Sequence, residues 1–119
     1  MDWQLAPALL AAGLMVLFGA GAAVRPTALH GLIGISATSP LGVSEIRSVF
    51  GGMFIALGMA CLLTRDPVVF GVVAAAWLLD FLVRCVSVFV DRVPAKDAVP
   101  VLAAALSIGI ALLSGYWQA

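Results

Sequence analysis

The sequence predicts an all-α integral membrane protein, an antiparallel four-transmembrane-helix bundle forming a single domain over residues 1–119. Three observations carry that expectation. Hydrophobic residues make up 64% of the chain and charged residues 10%, against roughly 25% charged in a soluble domain, so the polar inventory is too small to cover a water-facing surface. Four apolar stretches, about 5–24, 45–63, 68–90 and 98–117, approach the ~20 residues that carry an α-helix across ~30 Å of hydrocarbon. The links that follow the second and third stretches are short, which makes consecutive helices run antiparallel.

The first stretch has a small-residue run, Ala20-Gly21-Ala22, that resembles a signal-peptide cleavage site. Its leader carries Asp2 and no Lys or Arg, unlike a signal n-region, so it is expected to stay as a permanent helix. The segment Arg25–Val43 is rich in turn formers, Pro26, Gly31, Gly34, Pro40 and Gly42, around the apolar run 29–35. It is expected to form either a short helix lying in the interface or an irregular loop packed on the bundle. The second stretch is the shortest and must begin near Ser44 to reach across, with Ser44 as N-cap and Glu45 in the first turn, where the helix dipole favours an anion. Arg65-Asp66-Pro67 makes a tight turn into the third stretch, and 91–97 joins the third to the fourth.

Orientation follows from Lys and Arg in the loops. One side holds Arg25, Arg47, Arg92 and Lys96 and the other only Arg65, so both termini are expected to face out, with Trp3, Tyr116 and Trp117 in one aromatic belt. Helix association is expected to use small residues that let backbones approach: Ala8, Ala12 and Gly13 in the first span; Gly51, Gly52, Ala56, Gly58 and Ala60 in the second; Ser107, Ala111 and Gly115 in the fourth. Cys61 and Cys85 fall at depths roughly 15 Å apart by helical rise, beyond the ~7 Å Cα limit of a disulfide, so both are expected to be free thiols.

Candidate functional residues are the ionisable ones at membrane depth, since each costs at least ~2.5–3.5 kcal/mol to insert and needs a partner or a polar cavity. Trp77, Asp80, Arg84, Ser87 and Asp91 recur at spacings of three and four and so share one helix face. Asp80 falls near the midplane and Arg84 one turn away, within i,i+4 pairing reach. Glu45 and Arg47 lie about 200° apart around an α-helix and cannot share a face. A buried charge network of Glu45, Arg84 and Asp80 or Asp91 is therefore expected, with Arg47 at the interface or against another neighbour. It serves either as a polar clasp that fixes helix register or as a site for a headgroup, a quinone-like ligand or proton chemistry. His30 stands without a second histidine or a suitably spaced carboxylate, so no metal site is expected. Equal numbers of basic and acidic residues, six each, leave no field to hold nucleic acid.

The run Glu45-Ile46-Arg47-Ser48-Val49-Phe50-Gly51-Gly52, read E-I-R-x-x-F-G-G, resembles the signature of small bacterial membrane proteins grouped as domain-of-unknown-function family 4345. The resemblance implies a four-span protein of the bacterial inner (cytoplasmic) membrane. It also implies an Arg in the third span followed by an Asp near its end, positions that Arg84 and Asp91 match. Phe50 stands where Tyr is as frequent, Asp80 falls outside the family pattern, and no activity or cofactor comes with the likeness.

Function is then expected to be either that of an accessory subunit or that of a binder of a lipid or hydrophobic small molecule, using the charge network. An intramembrane acid/base enzyme of the isomerase type is the alternative, with Glu45 or Asp80 moving a proton and Arg84 stabilising developing charge. Transport is a third reading, and would need oligomers to enclose a path. Partners are membrane lipids, with a hydrophobic small molecule, a membrane-protein subunit or a second copy of the chain as further candidates.

Overall fold

The computed structural model describes residues 5–26 and 39–117. All regular structure among them is helical, in four helices long and apolar enough to cross a membrane: α1 Ala6–Val24, α2 Pro40–Thr64, α3 Pro67–Val90 and α4 Ala95–Trp117. At most 33% of any span's most apolar window is buried inside protein, and Leu10, Leu14 and Leu17 on α1 or Leu79, Leu82 and Phe89 on α3 stand well exposed. Such a surface fits lipid as solvent, and the chain is a multi-pass all-α membrane protein of the four-helix class. The expected interfacial element at 29–35, His30 and Trp3 lie outside the described residues.

The second helix starts earlier than the sequence suggested. Ser39, extended at φ −146° and ψ 160°, is its N-cap, and its hydroxyl accepts the Gly42 N–H at 3.0 Å. Pro40 at N1 has no N–H to lose and a φ already suited to a helix. Ser44 is therefore an interior residue rather than the cap, and Glu45 lies past the first turn. A further departure follows at once: Ile46–Met53 is π-helical, between an α-helical start, Pro40–Glu45, and an α-helical continuation, Phe54–Thr64.

The same local device begins α3. Asp66, extended at φ −85° and ψ 128°, caps it by accepting the Val68 N–H at 2.8 Å, and Pro67 is N1. Arg65, the residue between the Thr64 end of α2 and that cap, takes φ 48°, the left-handed conformation that usually closes a helix. Arg92 repeats this at φ 54° after α3, where the Val93 N–H reaches back to the Val88 carbonyl at 3.2 Å. The α2–α3 and α3–α4 links are thus made by helix caps.

The chain divides into two compact units, Met1–Ala11 with Thr64–Ala119, and Ala12–Leu63. In the first, α3 and α4 form an antiparallel hairpin. A Cβ on Gly109 would meet Leu78 Cδ2 at 2.7 Å, one on Gly71 would meet Tyr116 at 3.1 Å, and one on Gly115 would meet Phe70 at 2.8 Å and Ala8 at 2.9 Å. Partner numbers fall along α3 as they rise along α4, and the start of α1 meets the end of α4. Phe70, Val73, Ala74, Ala98, Ala105 and Leu112 are the buried apolar residues of this hairpin.

In the second unit α2 runs antiparallel to the rest of α1. A Cβ on Gly51 would lie 2.9 Å from Ala23, one on Gly19 2.9 Å from the Gly51 carbonyl oxygen, and one on Gly58 2.7 Å from the Ala12 carbonyl oxygen. Glycine at 19, 51 and 58 is what brings the two backbones together, since lipid supplies little hydrophobic drive between helices. Phe18, Phe50 and Phe54 fill the seam beside them, with ring centroids 5.7 to 6.3 Å apart in tilted and edge-on contacts.

Candidate functional site

Charged residues are scarce, and among the described residues none is buried. The sequence led us to expect a buried network; the structure instead shows one half-exposed pair. The α3 backbone carries Asp80 and Arg84 one turn apart, and the Arg84 Nε–H donates to Asp80 Oδ2 at 2.7 Å. Their side chains are 40% and 42% exposed respectively. Asp80 sits about 2 Å past the middle of the 24-residue α3 and Arg84 about 8 Å past it, at 1.5 Å per residue.

Arginine at that depth ordinarily snorkels toward the nearer interface. Here its Nε bonds to a carboxylate one turn deeper, which holds the guanidinium toward mid-span instead. Further along the same face the Ser87 hydroxyl donates to Asp91 Oδ2. Burial along α3 follows the same division: the fully buried residues, Phe70, Val73 and Ala74, all precede Trp77, and none lies on the charged half.

Glu45 and Arg47 are placed differently. Both are exposed, and neither makes an ion pair among the described residues. Glu45 is the last residue before the π segment and Arg47 the second within it. The Glu45–Gly52 run therefore coincides with the π-helical part of α2, a form that occurs mostly as short insertions and often at functional sites. Its paired glycines have unlike environments: Gly51 is buried in the seam against Ala23, whereas a Cβ on Gly52 would meet nothing within 4 Å.

Sequence reasoning missed the π segment and the aromatic cluster of Phe18, Phe50 and Phe54. Phe50 and Phe54, four apart, carried a signal for the cluster; nothing in residue type announces an i→i+5 backbone. Cys61 and Cys85 are free thiols. Among the described residues no group of His, Cys, Asp and Glu gathers to hold a metal ion. Comparison with protein-family models, with curated proteins and with solved structures returns no match.

Chemically, the Asp80–Arg84 pair is a neutral unit that still offers N–H donors. A guanidinium has five N–H groups, of which Nε–H is engaged by Asp80. The groups on the two Nη atoms have no protein acceptor among the described residues.

Proposed function

We propose that this protein is a non-enzymatic membrane module that binds a lipid or other hydrophobic small molecule, seating the ligand's polar group on the charged face of α3. One observation carries the reading: an ion pair near the middle of a membrane-length helix, two-fifths exposed in the chain. Hydrocarbon is a poor cover for such a pair. An amphiphile that places its polar group there and its tail along the flanking, exposed Leu79 and Val83 satisfies both the N–H groups and the apolar wall.

The compartment belongs to the same proposal. Glu45–Gly52 resembles the signature of bacterial family 4345, which supports a bacterial inner membrane. The basic residues Arg25, Arg47, Arg92 and Lys96 against Arg65 support both termini facing out. In a background lacking Cys61 and Cys85, a cysteine placed at Asp66 should label from outside and one at Lys96 should not; the opposite pattern reverses the orientation.

The test of binding is native mass spectrometry of the gently purified full chain. A hydrophobic compound that copurifies with the wild type and is lost from the Asp80→Leu/Arg84→Leu double variant is the expected result. A copurifying protein lost in the same way would make this an accessory subunit instead. Equal ligand content in both forms would remove α3 from the site.

A further inference from the structure

We propose further, resting on the ligand-binding reading above, that the group received at Arg84 is a neutral carbonyl on an apolar body, such as a ketone, quinone or ester, and not an anionic headgroup. The argument starts from charge. Asp80 Oδ2 lies 2.7 Å from Arg84 Nε, so the pair has no net charge, and Asp91 adds a second carboxylate on the same face, engaged only by the Ser87 hydroxyl among the described residues. An anion approaching the Nη atoms is attracted by the guanidinium and repelled by the Asp80 carboxylate that the same guanidinium already neutralises. Little electrostatic gain is left to offset the desolvation of a charge at this depth.

A carbonyl oxygen meets the opposite balance. It carries no ionic desolvation cost, and each Nη–H it accepts makes a charge-assisted hydrogen bond, stronger than a neutral one. Without an acceptor those N–H groups lack the internal satisfaction that hydrocarbon demands. Asp80 therefore acts as a positioning and selecting residue. It holds the guanidinium toward mid-span through Nε, and its charge discriminates against acids while leaving the Nη donors free.

The experiment uses the full chain in nanodiscs of ether-linked phospholipid, which has no ester carbonyls. Three probes of equal chain length are added: a long-chain methyl ketone, the fatty acid and the alkane. Bound probe is counted by native mass spectrometry. The wild type should bind the ketone saturably and at least about tenfold more tightly than the acid, as expected when a hydrogen bond to a charged group is gained, with no saturable alkane binding. Arg84→Leu should lose about tenfold or more in ketone affinity.

Asp80→Asn is the decisive variant, and circular dichroism checks its helicity. It keeps the size of the side chain and unmasks the arginine charge, so preference should swing to the fatty acid. Ester-linked nanodiscs that abolish ketone binding would identify lipid esters as the carbonyl source. Wild type that prefers the acid, or Asp80→Asn that does not change the ranking, overturns the carbonyl assignment. If an Arg84-dependent native ligand copurifies all the same, ligand binding stands and only its chemistry is wrong. If no ligand copurifies and no probe binds, both proposals fall.

Discussion

The α1–α2 seam and the charged face of α3 both depart from a plain apolar span, and they do so in opposite ways. In the seam, side chains are removed: Gly19, Gly51 and Gly58 let backbone approach backbone, and an added methyl at Gly58 would sit 2.6 Å from Val16 Cγ2. On α3, long polar side chains are added where lipid cannot solvate them, and they remain two-fifths exposed. The seam is closed by fit alone and has no room for change. The α3 face is satisfied only in part by its own chain, through one Nε–H to carboxylate bond. The difference separates what holds the helices together from what is available to do work.

The largest expected effect lies on the charged face. Asp80→Leu strands Arg84 as a lone cation at membrane depth and should cost about 3 kcal/mol, the scale for inserting one charge. Asp80→Leu combined with Arg84→Leu removes both and should recover most of that loss, because an unpaired charge is worse than none. Reversible unfolding in mixed micelles measures the cycle. A double variant as unstable as the sum of the single ones would mean the two residues do not act as a pair.

The seam should be nearly as sensitive, with the opposite chemistry. Gly58→Ala puts a Cβ against the Ala12 carbonyl oxygen, which belongs to the backbone and cannot swing aside, so a loss of about 2 kcal/mol is expected. Gly13→Ala, where a Cβ meets nothing within 4 Å, is the control and should gain slightly from helix propensity. Equal effects at 13 and 58 would show that close packing at Gly58 is not what the glycine provides.

These two regions were not equally legible in the sequence. Apolar length located all four spans, because lipid imposes one requirement on every residue of a helix at once. The pairing of Asp80 with Arg84 followed from i,i+4 spacing, which α geometry makes unambiguous. The start of α2 did not: Pro40 looked like loop punctuation, although Ser39-Pro40 is the same cap-and-N1 pairing as Asp66-Pro67. Glu45 could be placed near a helix start but not at the entry to a π segment, since that backbone form has no residue signature. Half-exposure of the α3 pair was also out of reach, because periodicity shows which residues share a face and not what lies opposite it.

A smaller effect divides the glycines of the Glu45–Gly52 run between packing and open surface. Gly52→Ala should be tolerated and stabilise by roughly 0.5 kcal/mol, the usual advantage of alanine in a helix. Gly51→Ala should instead lose about 1 kcal/mol, since its Cβ would lie 2.9 Å from that of Ala23. Thermal unfolding in detergent ranks the two. A loss at Gly52 would place some close neighbour there and bring that surface of α2 into the set of working contacts.

The smallest effect tests whether the helix ends belong to the seam or are independent of it. Arg65 holds φ 48° between the Thr64 end of α2 and the Asp66 cap of α3, a conformation costing an ordinary residue roughly 1 kcal/mol and glycine almost nothing. Glycine also frees the unfolded chain, which offsets part of that gain, so Arg65→Gly should stabilise by only a few tenths of a kcal/mol. Asparagine tolerates the left-handed region as well and loosens the unfolded state less, so Arg65→Asn should do at least as well. Arg65→Ala keeps the strain and should show no gain. The same ranking is expected at Arg92, φ 54°, because both residues hold a left-handed backbone just past a helix end. Equilibrium unfolding of the six variants decides it. Alanine equal to glycine at either site would mean the positive φ is not what limits that link, whereas gains that vanish when Gly58→Ala is added would show that caps and seam unfold as one.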